Sequence, residues 1–185
     1  MTTYTRLLIA ALATVMTTMG PTGARVALAA RAGVDEDAAA ALKKLYATEP
    51  VAKMLSGKAR GILVFPTIVK AGFIVGAHYG DGVLIQNGQT AGHYNTVAGS
   101  YGYQAGVQTY GYALFLMNDE ALHYLDRSDG WEIGAGPSVV VVDKGMGKSV
   151  TSTTLTKDVY AFVFNQKGLM AGAGLQGSKI TKINK

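Results

Sequence analysis

Lys58–Gly82, KARGILVFPTIVKAGFIVGAHYGDG, sets the terms on which the rest of the chain is read. A basic pair, Lys58 and Arg60, leads through Gly61 into the apolar run Ile62–Phe65, which Pro66 is expected to stop. After Lys70-Ala71-Gly72-Phe73 comes a second apolar strand, Gly72–Ala77. Tyr79-Gly80-Asp81-Gly82 then reads as a hairpin turn ahead of Val83–Gln86. Lysine, glycine and β-branched residues alternating in this way mark scaffold or surface and not a catalytic pocket. The chain downstream repeats the same glycine-punctuated strand chemistry.

Asn87-Gly88 is a second turn, with Thr90–Thr96 as a returning strand. Ser100–Met117 interleaves Tyr101, Tyr103, Tyr110 and Tyr112 with Gly102, Gly106 and Gly111. Asn118-Asp119-Glu120 caps a short helix over Ala121–Leu125. Further strands are expected at Trp131–Gly134, Ser138–Val142, Val150–Leu155, Val159–Asn165 and within Leu169–Ile183, with tight turns at Asp143–Gly145 and Asn165–Gly168.

Toward the N-terminus the pattern changes to helix. Asp35, Glu36 and Asp37 precede an amphipathic stretch with Leu42, Leu45 and Tyr46 on one face and Lys43 and Lys44 opposite, the acids suiting a first turn. Thr48-Glu49-Pro50 reads as the capped start of a second helix, with Val51, Met54 and Leu55 apolar and Gly57 as its end. Such stripes usually cover a sheet. The alternative, contact with a membrane interface, draws on the nearby Lys43, Lys44, Lys53, Lys58 and Arg60. Two short N-terminal amphipathic helices packed on a strongly curved, mainly antiparallel sheet, sandwich or open barrel, is an α+β fold. The Gly/Tyr strand also suits a small outer-membrane barrel, but Val139–Val142, apolar on both faces, reads as protein core.

Residues 1–29 read as a secretory signal peptide. Arg6 precedes the apolar run Leu7–Met16, Gly20-Pro21 breaks it, and Ala27 and Ala29 stand at −3 and −1 of a cut before Ala30. The run is too short to span a bilayer, which takes about 20 apolar residues. Residues 30–185 are then one domain, expected in the periplasm or outside the cell. Cleavage takes Arg6 and Arg25 from the 17 basic residues and none from the 12 acidic ones. What remains is mildly basic, enough to favour anionic surfaces but not nucleic acid.

The composition excludes several chemistries. With no cysteine there are no disulfides, thiolate zinc sites or cysteine nucleophiles. Gly172-Ala173-Gly174-Leu175-Gln176-Gly177 matches a dinucleotide fingerprint but lacks the following helix, strand and acid that the fold requires. Gly145-Met146-Gly147-Lys148-Ser149 resembles the end of a phosphate loop, but Val142 stands where its first glycine belongs. His78, His93 and His123 have no metal-ligand spacing and read as surface or strand histidines. Ser100 is not in a nucleophile elbow. No enzyme, cofactor or metal site is expected.

The blocks Lys58–Pro66, Lys70–Phe73, Met117–Leu122, Ala161–Phe164, Lys167–Gly172 and Leu175–Ser178 together resemble the SYLF domain, in the family's order. That resemblance implies phospholipid binding without catalysis, with phosphoinositides (phosphatidylinositol lipids) as eukaryotic ligands and actin binding in yeast members. Residue by residue it points to Lys58, Arg60 and Lys70 inside matched motifs, and to Lys43, Lys44 and Lys53 in the same region. The leader sequence departs from the eukaryotic pattern. It makes a bacterial, envelope-associated protein on an anionic phospholipid surface the expectation, with actin set aside and an envelope protein partner as the alternative.

Overall fold

The computed structural model describes residues 21–127, 129–142, 155–168, 175 and 177–183. The first part of the leader and its Leu7–Met16 run lie outside the described residues. So do the Asp143–Gly145 turn, most of the Val150–Leu155 strand and most of the glycine cluster at 172–177. The chain divides into two compact units, Met1–Gly33 and Val34–Lys185. The described part of the first is helical, and all the strands belong to the second.

Helix α1 runs Pro21–Thr48 and α2 runs Pro50–Ser56. Two long strands follow, β1 (Gly61–Gln86) and β2 (Gln89–Leu116), then α3 (Asp119–Leu125). The described chain closes with β3 (Trp131–Glu132), β4 (Val139–Val141), β5 (Val159–Gly168) and β6 (Lys179–Lys182). These form one six-stranded sheet among the described residues, antiparallel except where β4 runs parallel to β5. Strand β2 is its axis. One edge of β2 pairs with β1 from Gln86↔Gln89 to Gly61↔Leu116. The other edge takes β6 along Tyr94–Val97 and β5 along Gln108–Leu116.

The α+β class and the strong curvature hold, the sheet curling into a half-barrel. Several local expectations do not. Tyr79–Gly82 is no turn, because β1 passes through it unbroken. These glycines serve close approach. A β-carbon on Gly80 would lie 2.7 Å from the Thr67 carbonyl oxygen, and one on Gly82 would lie 2.6 Å from that of Val64. The strand curls so tightly that its second half lies against its first. Pro66 does not stop β1 either. It sits at a register shift between Phe65 and Ile68, on a strand whose only described neighbour is β2, where a missing N–H leaves no ladder bond unmade.

Asn87-Gly88 is the turn expected of it. Both residues have positive φ, 51° and 76°, the type I′ requirement for a two-residue hairpin. Asn118 caps α3 as read, its side chain accepting from the Ala121 N–H at 2.9 Å. Thr48, by contrast, caps nothing at the start of α2. Its hydroxyl bonds back to the carbonyls of Lys44 and Leu45 at the end of α1, and Glu49 holds the N-cap position. Asp35–Asp37 lie within α1, not in its first turn. Asn165–Gly168 is part of β5, not a turn, with Asn165 at φ 53°.

Alternation along the strands divides the core in two. Ile62, Val64, Ala113, Phe115, Tyr160 and Phe162 face Ala38, Ala41, Leu42 and Leu45 of α1 and Ala52 and Leu55 of α2. Their neighbours Leu63, Phe65, Tyr112, Leu114, Val159 and Ala161 face the concave side with Ala121 and Leu125 of α3, Trp131 and Ile180. Both helices therefore cover a sheet face. Leu42 and Leu45, which a membrane-facing helix would offer to lipid, are 6% and 3% exposed.

Candidate functional site

The six basic residues singled out in the sequence do not form one cluster. Lys43 and Lys44 are exposed near the end of α1, and Lys53 is exposed on α2. Lys58 and Arg60 are exposed at the junction of α2 and β1, where Arg60 pairs with Asp119 at 3.5 Å. That pair is open to solvent and worth at most about 1 kcal/mol. Lys70 is half-buried along β1, opposite Gln108. At about 3.3 Å per strand residue it lies up to about 33 Å from Arg60. The helical lysines can share a surface, but Lys70 belongs to another part of the sheet.

Lys44 is drawn against the sheet, its Nζ donating to Asn165 Oδ1 at 2.9 Å. The irregularities of three strands meet there. Register shifts at Phe65/Ile68 in β1 and Thr109/Gly111 in β2 lie beside the positive-φ Asn165 of β5. Gly111 allows this. A β-carbon there would stand 2.6 Å from the Pro66 carbonyl oxygen and would strike the Phe164 ring. The bend opens a cavity of about 240 Å³ lined by Lys44, Thr67, Thr109, Tyr110, Asn165 and Lys167, with Pro66 at its wall. A larger cavity of about 520 Å³ lies under the end of α1, walled by Ala41, Leu45, Val142 and Phe162 and sharing Lys44 and Asn165 with the first. Lys167 had been read as a motif and turn residue. Nothing in its spacing shows that β5 would carry it to Lys44.

The concave face holds a buried polar cluster that the sequence reading missed. His78 is a strand residue of β1, the second of the two readings given for it, and is 4% exposed and not on the surface. Its Nε2 lies 3.2 Å from Ser178 Oγ and its Nδ1 3.3 Å from the Tyr110 hydroxyl. Tyr112 donates to Thr96 Oγ1 at 2.9 Å. Burial, reinforced by the Lys70 charge, holds His78 below the ordinary histidine value of 6.5, and burial pushes Tyr110 up to about 12. These groups stay neutral and serve as ties between β1, β2 and the segment leading into β6. His93 likewise bonds Asp35 of α1, at 3.1 Å. Among the described residues no group of three or more histidines and carboxylates is placed to hold a metal, and no helix is long and apolar enough to cross a membrane.

The depressed histidine has a consequence for stability. As pH falls below about 6.5 the unfolded chain takes up a proton that folded His78 resists, so stability is present above that pH and lost below it. The slope from this group is at most about 1.4 kcal/mol per pH unit. Urea midpoints measured from pH 7 downward should fall for the wild type and flatten for His78→Gln. Parallel curves would remove His78 as the cause.

Residues 97–185 match the family described as Ysc84, Las17-binding protein actin regulator. The match begins within β2, at Val97, takes in everything after that in the described structure, and leaves out the Lys58–Phe73 motifs. No curated protein matches the chain.

Proposed function

We propose, from the premise that this chain carries over residues 97–185 a domain of the Ysc84 (SYLF) family, that it is a peripheral, non-enzymatic module docking on anionic phospholipid surfaces. The family is one of binding domains. The observation that carries the reading is how α1 and α2 divide their faces: Leu42, Leu45 and Leu55 are buried against the sheet while Lys43, Lys44 and Lys53 are exposed. That arrangement favours docking by charge over insertion of leucines. Each lysine held at an anionic surface contributes on the order of 1 kcal/mol, and exposed charges are screened within about 10 Å at 0.1 M salt. The leader pattern of residues 1–29 supports a periplasmic or secreted setting at the cell envelope.

Cosedimentation with phosphatidylcholine vesicles of graded phosphatidylglycerol content tests this. Binding should rise with anionic lipid and weaken with salt, and Lys43→Glu combined with Lys53→Glu should weaken it at least about tenfold. Vesicle binding indifferent to lipid charge, or untouched by the double reversal, would overturn the reading. The family description names a protein-binding member, and this favours a second reading, an envelope protein partner. It predicts a partner recovered equally well without lipid. Actin is not proposed as that partner.

A further inference from the structure

Two adjoining cavities at the sheet bend, the smaller polar and the larger with mainly apolar walls, point past a diffuse basic surface. We propose that they form a seat for one anionic lipid molecule, its phosphate between Lys44 and Lys167 and its acyl chain in the trough under α1. This rests on the phospholipid reading above and names the site within it.

The smaller cavity has two lysines, the hydroxyl-bearing Thr67 and Thr109 and the amide-bearing Asn165 in its lining, with no carboxylate among the described lining residues. Phosphate oxygens accept hydrogen bonds from all of these donors, and a lysine serves a phosphate as a compact point charge. The register shifts of β1 and β2 and the left-handed Asn165 free backbone and side chains from the ladder at one level, so the pocket is built into the fold. The larger cavity, about 520 Å³, is of the size that holds small apolar ligands.

The orientation of the guest follows from charge. The trough lies against the C-terminal turn of α1, with Glu49 and Thr48 on its rim. A helix C-terminus carries partial negative charge, and Glu49 adds to it, so an anion is disfavoured there. The head group therefore belongs on the Lys44–Lys167 side and the chain on the Ala41–Phe162 side. Lys44 and Asn165, hydrogen-bonded at the shared wall, stand where the two parts of the lipid would join. Free inorganic phosphate would use only the smaller space and gain nothing from the apolar one.

The test is titration of the full folded domain, followed by NMR amide shifts, with dihexanoyl phosphatidic acid at concentrations where it is monomeric. Dihexanoyl phosphatidylcholine and inorganic phosphate serve as comparison probes. Shifts should centre on Lys44, Thr109, Phe162, Asn165 and Lys167. The exposed Lys167→Glu should weaken phosphatidic acid at least tenfold. Val141→Trp, at a 44% exposed position lining the trough, should weaken the lipid but not inorganic phosphate. Lys167→Glu binding within twofold of wild type would overturn the proposal, as would equal affinity for inorganic phosphate and phosphatidic acid. Vesicle binding without binding of monomeric lipid would overturn this seat and leave the surface reading standing. Binding of neither would overturn both.

Discussion

Replacing Gly82 with valine should destabilise the domain by about 3 kcal/mol or more, while Gly99→Ala should move the urea midpoint by less than about 0.5 kcal/mol. The contrast comes from where β1 folds against itself. A β-carbon at 82 would lie 2.5 Å from a ring carbon of Phe65 and 2.6 Å from the Val64 carbonyl oxygen, and backbone cannot step aside as a flexible side chain can. Phe65 is itself fully buried and stacked at 4.8 Å against Tyr112. At Gly99 nothing lies within 4 Å of the added carbon, on the same long hairpin. Urea unfolding followed by fluorescence of the buried Trp131 reports both. A Gly82→Val midpoint near the wild-type value would mean that the strand does not curl back on itself.

Asp158→Ala should cost about 3 kcal/mol, the next largest effect expected from one substitution. The carboxylate joins three elements. Oδ1 accepts from Asn118 Nδ2 at 2.7 Å, and Oδ2 accepts from the Ser138 N–H at 2.8 Å and the Ser138 hydroxyl at 2.7 Å. Asn118 also caps α3, Ser138 leads into β4, and Asp158 immediately precedes β5. Hydrogen bonds to a charged group are worth about 1.5–3 kcal/mol each but are not additive within one network. The Ser138 hydroxyl, with further donors from the Ser138 backbone and Asn118, holds the Asp158 carboxyl below the usual carboxylate range. Its contribution is therefore present above about pH 4 and lost as pH falls through the lowered folded value. Asp158→Asn should lose that acid-dependent part and unfold between Asp158→Ala and wild type. An alanine variant as stable as wild type would show that the junction is held by packing alone.

What the sequence told correctly was carried by residues whose local chemistry admits one structural use. Asn87-Gly88 could only be a tight hairpin, and Asn118 ahead of two acids could only be a cap. Glycine elsewhere was ambiguous because the same missing side chain serves a turn and a close contact. Gly80 and Gly82 were read as the first and are the second, and only partners about twelve to eighteen residues back along β1 decide between them. Thr48 misled because its hydroxyl can bond backward to the helix behind it as well as forward. The candidate basic residues were legible one by one, as lysines and arginines near amphipathic helices. Their grouping was not, since it depends on strand irregularities that carry no signature in the sequence. Lys167 reaches Lys44 only because β1, β2 and β5 all break register at one level. His78 is on a strand, one of the two readings given for it, but its burial and partners were not legible for the same reason: Tyr110 and Ser178 reach it from distant parts of the chain.

The pairing of β1 with β2 along one long hairpin also bears on the order in which the chain acquires its shape. The rungs from Gln86–Gln89 out to Gly61–Leu116 follow one another along a single hairpin, with register shifts at Leu84/Ile85, Gly72/Ile74 and Phe65/Ile68, so the ribbon can zip outward from a nucleus that closes only two residues. Each later rung adds little loop-closure entropy to the last. The contacts of β5 and β6 span far more sequence, Leu116 with Val159 and Tyr94 with Lys182, and such non-local pairings are the slow ones in folding kinetics. During synthesis the hairpin is complete in sequence while both of its later partners are still unmade. A nascent chain at that stage presents the far edge of β2 bare, with Gly, Tyr and Val along it. That interval is when this molecule is most open to pairing with the wrong strand.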